Sequence, residues 1–337
     1  MHRFTLVTDA WYPQTNGVVT TWNSVLAELQ QLGIEVQVIH PGDFKTLPVP
    51  TYAEVRVAVN PWRLKPMLWD YQPDYIHIAT EGPLGLYARH LLVQHGLPFT
   101  TSLHTKFPEY VHERVRLPLS IGYRFMRWFH RPARSTLVTT WSHQQELAQW
   151  GLTDLIVWGR GVDVSKFKPQ PLQSRQRPRL LYVGRVAVEK NIEAFLQLSI
   201  DADKVIVGDG PQRAELQANY PDVQWLGYLH GQDLTDAYAQ ADVFVFPSRT
   251  DTFGLVMLEA NACGTPVAAY PVTGPIDVVA DGHNGALDEA LGAAVQRALA
   301  VPRDSCRAHA LAQTWSAVAN RLEKQLVPIT WPLPRQD

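Results

Sequence analysis

Cysteine is scarce in this chain. Its 337 residues include two, Cys263 and Cys306, which excludes a disulfide framework and makes a reducing compartment the expectation. Long apolar runs are missing as well. Met1 leads into a short apolar stretch, Phe4 to Val7, followed by Asp9 and Pro13, so neither a signal peptide nor a membrane span is expected and the protein reads as cytoplasmic. No sign of charge is in excess: 30 Lys and Arg against 32 Asp and Glu leave a formal net charge of -2, which argues against nucleic acid as a bulk partner. Motifs for P-loops, zinc proteases and serine hydrolases are absent. A glycine-rich dinucleotide fingerprint is absent too, which disfavours a dehydrogenase.

What the chain has is length and a regular alternation. With 46% hydrophobic and 18% charged residues it is a folded soluble composition, too long for one ordinary core and suited to two domains. Phe4 to Thr8 predicts a strand, Val18 to Leu32 a helix ended by Gly33, and Ile34 to Val38 the next strand. Tyr75 to Ala79, Leu84 to Val93, Phe99 to Leu103 and Thr136 to Thr140 continue strand, helix, strand, strand, and Ser142 with Gln145 predicts a capping box for a further helix. The connector from Pro169 to Pro178 is polar and proline-containing. The predicted domains are therefore 1–168, 169–303 and a terminal helix with tail at 304–337, the tail after Val327 ordered only if it packs.

The second half restarts the alternation and carries the most informative stretch, Phe246 to Tyr270. Val243 to Val245 predicts a buried parallel strand, Arg249 to Thr252 a polar loop, and Phe253 the start of a helix that Gly264 and Pro266 stop. Ligands of open parallel sheets sit at the carboxyl ends of strands, where the first amides of the next helix are unsatisfied and carry partial positive charge. The amides of Gly254, Leu255 and Val256 form a plausible anion cradle there, flanked by Asp251 at the mouth and Glu259 further along the helix. Two carboxylates with amides between them suit hydroxyls at both ends of a molecule carrying phosphate in its middle. The plain alternative, equally weighted on this segment alone, is that Asp251 caps the helix and Glu259 faces solvent.

Three other strand ends carry reactive residue types. Arg185 and Lys190, five residues apart in GRVAVEKNIEAFL, can grip adjacent phosphates, although basic surface residues are common. His104 follows the strand ending at Leu103, where most histidines are only hydrogen-bonded loop residues. Gly17, in DAWYPQTNGV, lets backbone approach a phosphate or sugar, while Asn-Gly is also an ordinary turn. Gly208 and Gly210 read as structural. From Arg114 to Arg134 lie six arginines; Arg124, Arg127, Arg131 and Arg134 form a basic face opposite aromatic residues, either a solvated face or one that lies on an anionic lipid surface.

The spacing from Asp251 to Glu259 with FGLVMLEA between, followed by ACGTPV, resembles the E(x7)E region of retaining nucleotide-sugar glycosyltransferases, the large family 4, or glycosyl transferases group 1. The resemblance implies a GT-B fold, two Rossmann-like doubly wound α/β domains facing a central cleft. It implies that His104, in SLHTKFPEY, contacts the transferred sugar and that Arg185 and Lys190 bind the diphosphate without a metal. Glu259 is implied to hold the ribose, Gly17 to lie near the donor, and the main chain around Tyr228 to meet the nucleobase. Asp251 stands where the family has glutamate, one methylene longer, which weakens its implied contact with the sugar. The implied reaction is retaining transfer of a hexose from a nucleotide diphosphate sugar, GDP-mannose or a UDP-hexose, to a hydroxyl acceptor, the leaving phosphate taking the acceptor's proton. NGV, HTKFPEY and SRTDTFG most resemble mannosyltransferase-like and glycolipid-forming members, with peripheral membrane contact through 114–134. The Asp201-Ala202-Asp203 triplet lies before a strand, the wrong position for the metal-binding pair of the other common transferase fold. The competing readings are a nucleotide-sugar epimerase, which needs no acceptor, and a non-catalytic nucleotide-sugar binder.

Overall fold

The computed structural model describes residues 2–14, 16–49 and 52–331. The chain divides into two compact units, Met1–Gly159 with Trp315–Asp337, and Arg160–Thr314. The first contains β1 (Arg3–Val7), β2 (Glu35–Ile39), β3 (Thr46–Val49), β4 (Tyr52–Ala58), β5 (Tyr75–Ile78), β6 (Thr100–Leu103), β7 (Thr136–Val138) and β8 (Leu155–Val157). Six of these form a sheet in the order β2-β1-β5-β6-β7-β8, every adjacent pair parallel, while β3 and β4 make a separate antiparallel hairpin. The second unit holds β9 (Arg179–Val183), β10 (Asp203–Val207), β11 (Gln224–Gly227), β12 (Val243–Phe246), β13 (Val267–Ala269) and β14 (Gly285–Leu287). Their order is β11-β10-β9-β12-β13-β14, again all parallel.

Burial on both faces explains why the strands read as unbroken apolar runs. Along β9 and β12, Leu181, Val183, Phe244 and Phe246 enter one core, and Leu180, Tyr182, Val243 and Val245 the other. Each such side chain contributes about 1.5–3 kcal/mol on burial, so the sheet is fixed from both sides and its strand ends are stable platforms for loops.

The unit boundaries differ from the sequence expectation. Val162 and Phe167 bury in a core of the second unit, so the division falls after Gly159 rather than in the polar connector at 169. The helix expected from Asp304 to Leu326 is two helices, Arg303–Leu311 and Trp315–Glu323. Arg307 holds the first to the second unit, donating to the carbonyls of Ala262 and Phe167 at 2.6 and 2.7 Å. The other packs against the helix Gly17–Gln31, and its Arg321 donates to the Trp158 carbonyl at 2.7 Å. Ala286 belongs to an edge strand, and the helix after it is shorter than expected, Leu291–Ala298. Thr140, not Ser142, caps the helix Trp141–Gln149, because its extended backbone lets its hydroxyl accept from the His143 amide at 3.2 Å. Beyond Val327 the chain packs: Ile329 N–H donates to the Asp74 carbonyl and the Trp331 indole to Pro73, with Trp331 edge-on to Trp69 at 5.2 Å. The rest of the tail lies outside the described residues.

Candidate donor and acceptor sites

In the second sheet β9 and β12 are neighbours, yet the chain leaves β9 toward β10 and β11 and leaves β12 toward β13 and β14. Connections diverge at that point, which opens a crevice at the carboxyl ends where α/β sheets bind ligands. Arg185 and Lys190 follow β9; Asp251, Gly254, Leu255 and Val256 follow β12. The sheet therefore brings together residues some sixty positions apart in sequence.

The loops are held by backbone. Gly184 N–H donates to Val207 O at 3.0 Å, Val186 N–H to Asp209 O at 2.9 Å and Gly208 N–H to Gly227 O at 2.7 Å, lacing three strand ends together. A Cβ at Gly208 would sit 1.9 Å from the Gly184 carbonyl oxygen, so glycine there serves the lacing, as the sequence suggested. Asn191 reaches across to donate to Pro247 O at 3.1 Å, and the Ser248 hydroxyl donates to Glu189 O at 3.4 Å. These ties dock the two loops.

Docking pairs Lys190 with Asp251. The ammonium lies 2.6 and 2.9 Å from the two carboxylate oxygens, and the side chains are 22% and 18% exposed. The sequence assigned these residues to phosphate and sugar; the structure shows them joined to each other. Arg185 is half-buried on the same loop, its carbonyl accepting from the Tyr182 hydroxyl at 2.8 Å.

The helix after β12 runs Leu255–Ala262 and starts two residues later than predicted, because Gly254 precedes it with φ +81°, outside the helical region. A Cβ at Gly254 would approach Phe246 Cζ at 2.8 Å and Met257 Cε at 2.9 Å. Its cap position, Gly254, has no side chain to cap it, and among the described residues no side chain is bonded to the amides of Leu255 and Val256, which remain donors at the crevice end. Asp251 is thus not the helix cap. Nor does Glu259 simply face solvent. The buried Tyr238 hydroxyl donates to its Oε2 at 2.8 Å, and burial raises the Glu259 carboxyl pKa above the ordinary range while the Tyr238 bond opposes the rise. Tyr238 escaped the sequence reading, since nothing in DAYAQAD marks a tyrosine aimed at a carboxylate 21 residues away. Tyr228, beyond β11, is 59% exposed and lies nearly parallel to His230 at 6.4 Å.

The Asp201–Asp203 pair sits at the amino end of β10, opposite the carboxyl-end loops, and Arg177 bridges both carboxylates at 3.2 and 2.8 Å. Among the described residues no group of three or more His, Cys, Asp or Glu side chains is arranged to hold a metal. Both cysteines are buried and unpaired with each other.

In the first unit the connections diverge between β1 and β5. Asp9 follows β1 in the loop beyond Val7 and caps another element: its carboxylate accepts from Leu84 N–H at 2.9 Å, Gly85 N–H at 3.2 Å and the Thr80 hydroxyl at 3.0 Å, at the start of the helix Pro83–Gln94. Burial nevertheless pushes its pKa up to about 6. An acid at the end of a first strand was the available signal for this residue, and the sequence analysis gave it no role. Gly17 is the first residue of the helix Gly17–Gln31, and the Asn16 side chain caps that helix by accepting from the Val18 and Val19 amides at 3.0 and 3.1 Å. Gly17 is therefore a helix start rather than a free turn.

His104 follows β6 and is buried. The Trp22 indole donates to its Nε2 at 3.0 Å, and the Ser102 hydroxyl lies 2.8 Å from the same atom. An indole is a donor only, so Nε2 accepts and the imidazole is neutral with its proton on Nδ1. Ser102 also meets His77 at 3.0 Å, a histidine that burial drives down to about 3 and keeps neutral. Trp22, Ser102 and His77 fix the ring, and none of them was picked out from sequence.

The predicted basic segment is two helices, Phe107–Val115 and Leu119–His130. The second buries Tyr123, Met126, Phe129 and His130 and exposes Arg124 and Arg127 beside Ile121 and Trp128, which are 50% and 51% exposed. Arg131 and Arg134 follow it, also exposed; the Arg114 side chain lies outside the described residues.

Two doubly wound parallel sheets, with a charged and amide-lined crevice in one, are the architecture of the GT-B fold. Solved structures agree on the fold: sucrose-phosphate synthase from Thermosynechococcus elongatus superposes with a TM-score of 0.78 at 22% identity, over 96% of this chain and 98% of that one. Residues 15–166 match the model of Glycosyltransferase Family 4 and residues 177–301 that of Glycosyl transferases group 1. A GDP-mannose-dependent alpha-mannosyltransferase of Mycolicibacterium smegmatis is 31% identical over 95% of this chain and 96% of its own length. An alpha-monoglucosyldiacylglycerol synthase of Streptococcus pneumoniae is 26% identical over 89% of this chain and 79% of its own. The chain belongs to glycosyltransferase family 4, and is a glycosyltransferase.

Proposed function

We propose that this enzyme moves a hexose, with retention, from a nucleotide diphosphate sugar to a hydroxyl of a glycolipid or lipid precursor, and does so without a metal. GDP-mannose is the favoured donor, because it is what the mannosyltransferase relative depends on, with a UDP-hexose second. The observation that carries the reading is the meeting of Lys190, Asp251 and an uncapped helix start at the divergence of β9 and β12, with Glu259 set by Tyr238 behind them.

In this reading Lys190 leaves Asp251 for the donor diphosphate, and Arg185 with the Leu255 and Val256 amides receives the remaining phosphate oxygens. Asp251, so released, accepts from sugar hydroxyls; Glu259 accepts from the ribose through the oxygen that Tyr238 leaves open. Gly254, with its left-handed backbone, turns the chain so that these amides reach the phosphates. Tyr228 lies beside the base, which the chain meets with its backbone. As the bond between the anomeric carbon and the phosphate oxygen breaks, charge develops on the leaving diphosphate, where Lys190 and Arg185 stabilise it. The acceptor oxygen bonds to the same face of that carbon, and its proton passes to the departing phosphate. In the first unit, the family resemblance assigns His104 to the transferred sugar and Gly17 to the neighbourhood of the donor. The exposed arginines, Trp128 and Ile121 of Leu119–His130 rest on an anionic lipid surface that presents the acceptor.

Thermal shift of the purified protein with UDP, GDP, ADP and their common sugar conjugates, with and without chelator, tests the reading. One nucleotide raising the melting temperature regardless of chelator is expected, worth about 2.7 kcal/mol at ~100 times its dissociation constant. A folded sample that answers to none of them refutes it.

A further inference from the structure

A run of buried polar side chains crosses β5 and β6 and ends at His104. Thr100 and Ser102 lie on β6, His104 just after it, and His77 on β5 beside them. Thr100 Oγ1 is 2.7 Å from His77 Nδ1, Ser102 Oγ is 3.0 Å from His77 Nε2, and the same oxygen is 2.8 Å from His104 Nε2. Hydroxyls and neutral imidazoles both donate and accept, so these groups by themselves allow the chain to run in either direction.

Trp22 does not. An indole donates only, and this one gives its Nε1–H to His104 Nε2 at 3.0 Å. The ring is fully buried and gripped, 4.6 Å from the His77 ring, 5.2 Å from Trp158 and 6.5 Å from Phe4. One fixed donor orders every other bond. His104 accepts at Nε2 and keeps its proton on Nδ1. Were Ser102 to give its proton to His77, lone pairs of Ser102 and His104 would face each other at 2.8 Å; the Ala79 carbonyl, another acceptor for that proton, is 3.5 Å away. Ser102 therefore donates to His104 and accepts from His77 Nε2–H. Burial keeps His77 neutral, so its Nδ1 accepts from Thr100. Every bond then points the same way, from Thr100 through His77 and Ser102 to His104.

We propose that Trp22 is a positioning residue of the transferase: its N–H sets the direction of this chain, holding His104 as the Nδ1–H imidazole and making that ring a hydrogen-bond donor in transfer. Two bonds accepted at Nε2 polarise the ring and strengthen the donor on its other nitrogen. Without the indole N–H the chain reverses with no other bond lost: His104 Nε2–H donates to Ser102, Ser102 to His77, and His77 Nδ1–H to Thr100. The inference rests on the reading that puts His104 at the transferred sugar, and adds that the ring gives a hydrogen bond there rather than taking a proton.

Ring 15N NMR of the full chain with labelled histidine tests it, His104→Asn and His77→Asn assigning the two rings, and release of nucleoside diphosphate from the donor is a separate assay. The wild type should show His104 protonated at Nδ1 and His77 at Nε2. Trp22→Phe should move both tautomer ratios about fivefold toward the opposite forms, as loss of one ordinary hydrogen bond predicts, and lower kcat by up to the same factor with little change in KM. Ser102→Ala cuts the chain but keeps the indole, so it should release His77 and leave His104 protonated at Nδ1. A wild-type His104 protonated at Nε2 overturns the proposal, whether or not Trp22→Phe folds. So does a Trp22→Phe protein whose tautomers move while kcat stays. A wild type with both expected tautomers that answers to no nucleotide in thermal shift supports the ordered chain and refutes the donor reading.

Discussion

Asp251→Asn should make the protein bind free nucleoside diphosphate more tightly while making it a worse transferase. Lys190 is engaged by both oxygens of Asp251 at 2.6 and 2.9 Å, so in the proposed reading an incoming diphosphate competes with a carboxylate for its principal cation. Two unit charges ~4 Å apart attract by about 4 kcal/mol at an effective dielectric constant of ~20, an upper bound, and exposed pairs measure about 0.2–1 kcal/mol. The two side chains are 22% and 18% exposed, between those cases, and solvent screening brings the competition to about 1 kcal/mol. Removing it should tighten binding about fivefold. Transfer should fall, because the proposed reading places the same carboxylate on the sugar. Isothermal titration with the stabilising nucleoside diphosphate would compare wild type, Asp251→Asn, Lys190→Ala and the double variant. Lys190→Ala should lose about 10²–10³ in turnover, the cost of one transition-state donor, with far less effect on folding. In its background the Asp251→Asn gain should vanish. An Asp251→Asn protein that binds the nucleotide no better, or whose gain survives without Lys190, refutes the reasoning.

Other outcomes follow from single contacts. Tyr238→Phe removes the hydroxyl that holds Glu259, and should cost about 1–3 kcal/mol in chemical denaturation and weaken nucleotide binding more at low pH than at high pH, as the Glu259 pKa rises further. For Asp9 the folded carboxyl at about 6 lies above its ordinary 3.8, so the folded state binds the proton more tightly and stability falls as pH rises between those values. Asp9→Asn keeps an acceptor for the helix amides but cannot ionise. Its stability relative to wild type should improve by up to about 3 kcal/mol between pH 4 and pH 7 in urea melts at each pH, at ~1.36 kcal/mol per pKa unit. A constant difference refutes the assignment. Arg124→Ala with Arg127→Ala should weaken sedimentation with anionic vesicles about thirtyfold, at about 1 kcal/mol per cation, and leave neutral vesicles unaffected.

The fold was legible because parallel strands buried on both faces must be apolar throughout. Val243 to Phe246 and Leu180 to Val183 announce themselves, and the glycines and polar residues after them mark strand ends. Boundaries were less legible where a residue's fate depends on a distant core. Val162 and Phe167 sit in a linker-like segment yet belong to the second unit, and Trp331 anchors a proline-rich tail by packing on Trp69. Neither packing partner is visible locally.

The same distinction runs through the site. Single residues after strand ends, His104, Arg185, Lys190 and Asp251, were candidates because ligands of parallel sheets sit at the carboxyl edge, and Glu259 was one because it lies along the helix that follows. Their pairings were not legible, since strand order rather than sequence spacing decides which loops meet. Lys190 and Asp251 are 61 residues apart and touch only because β9 and β12 are neighbours. That pairing changes what the aspartate means. Read alone, Asp251 in place of glutamate implies a shortened sugar contact; paired, it is a carboxylate engaged by the lysine proposed to bind phosphate. In the proposed reading the missing methylene governs two equilibria at once, how firmly Asp251 holds Lys190 and how far the carboxylate reaches once the donor takes that cation. Asp251→Glu separates them: if length matters chiefly for the sugar, transfer rises with nucleoside diphosphate affinity unchanged, whereas a change in both shows that the ion pair itself sets the donor's affinity.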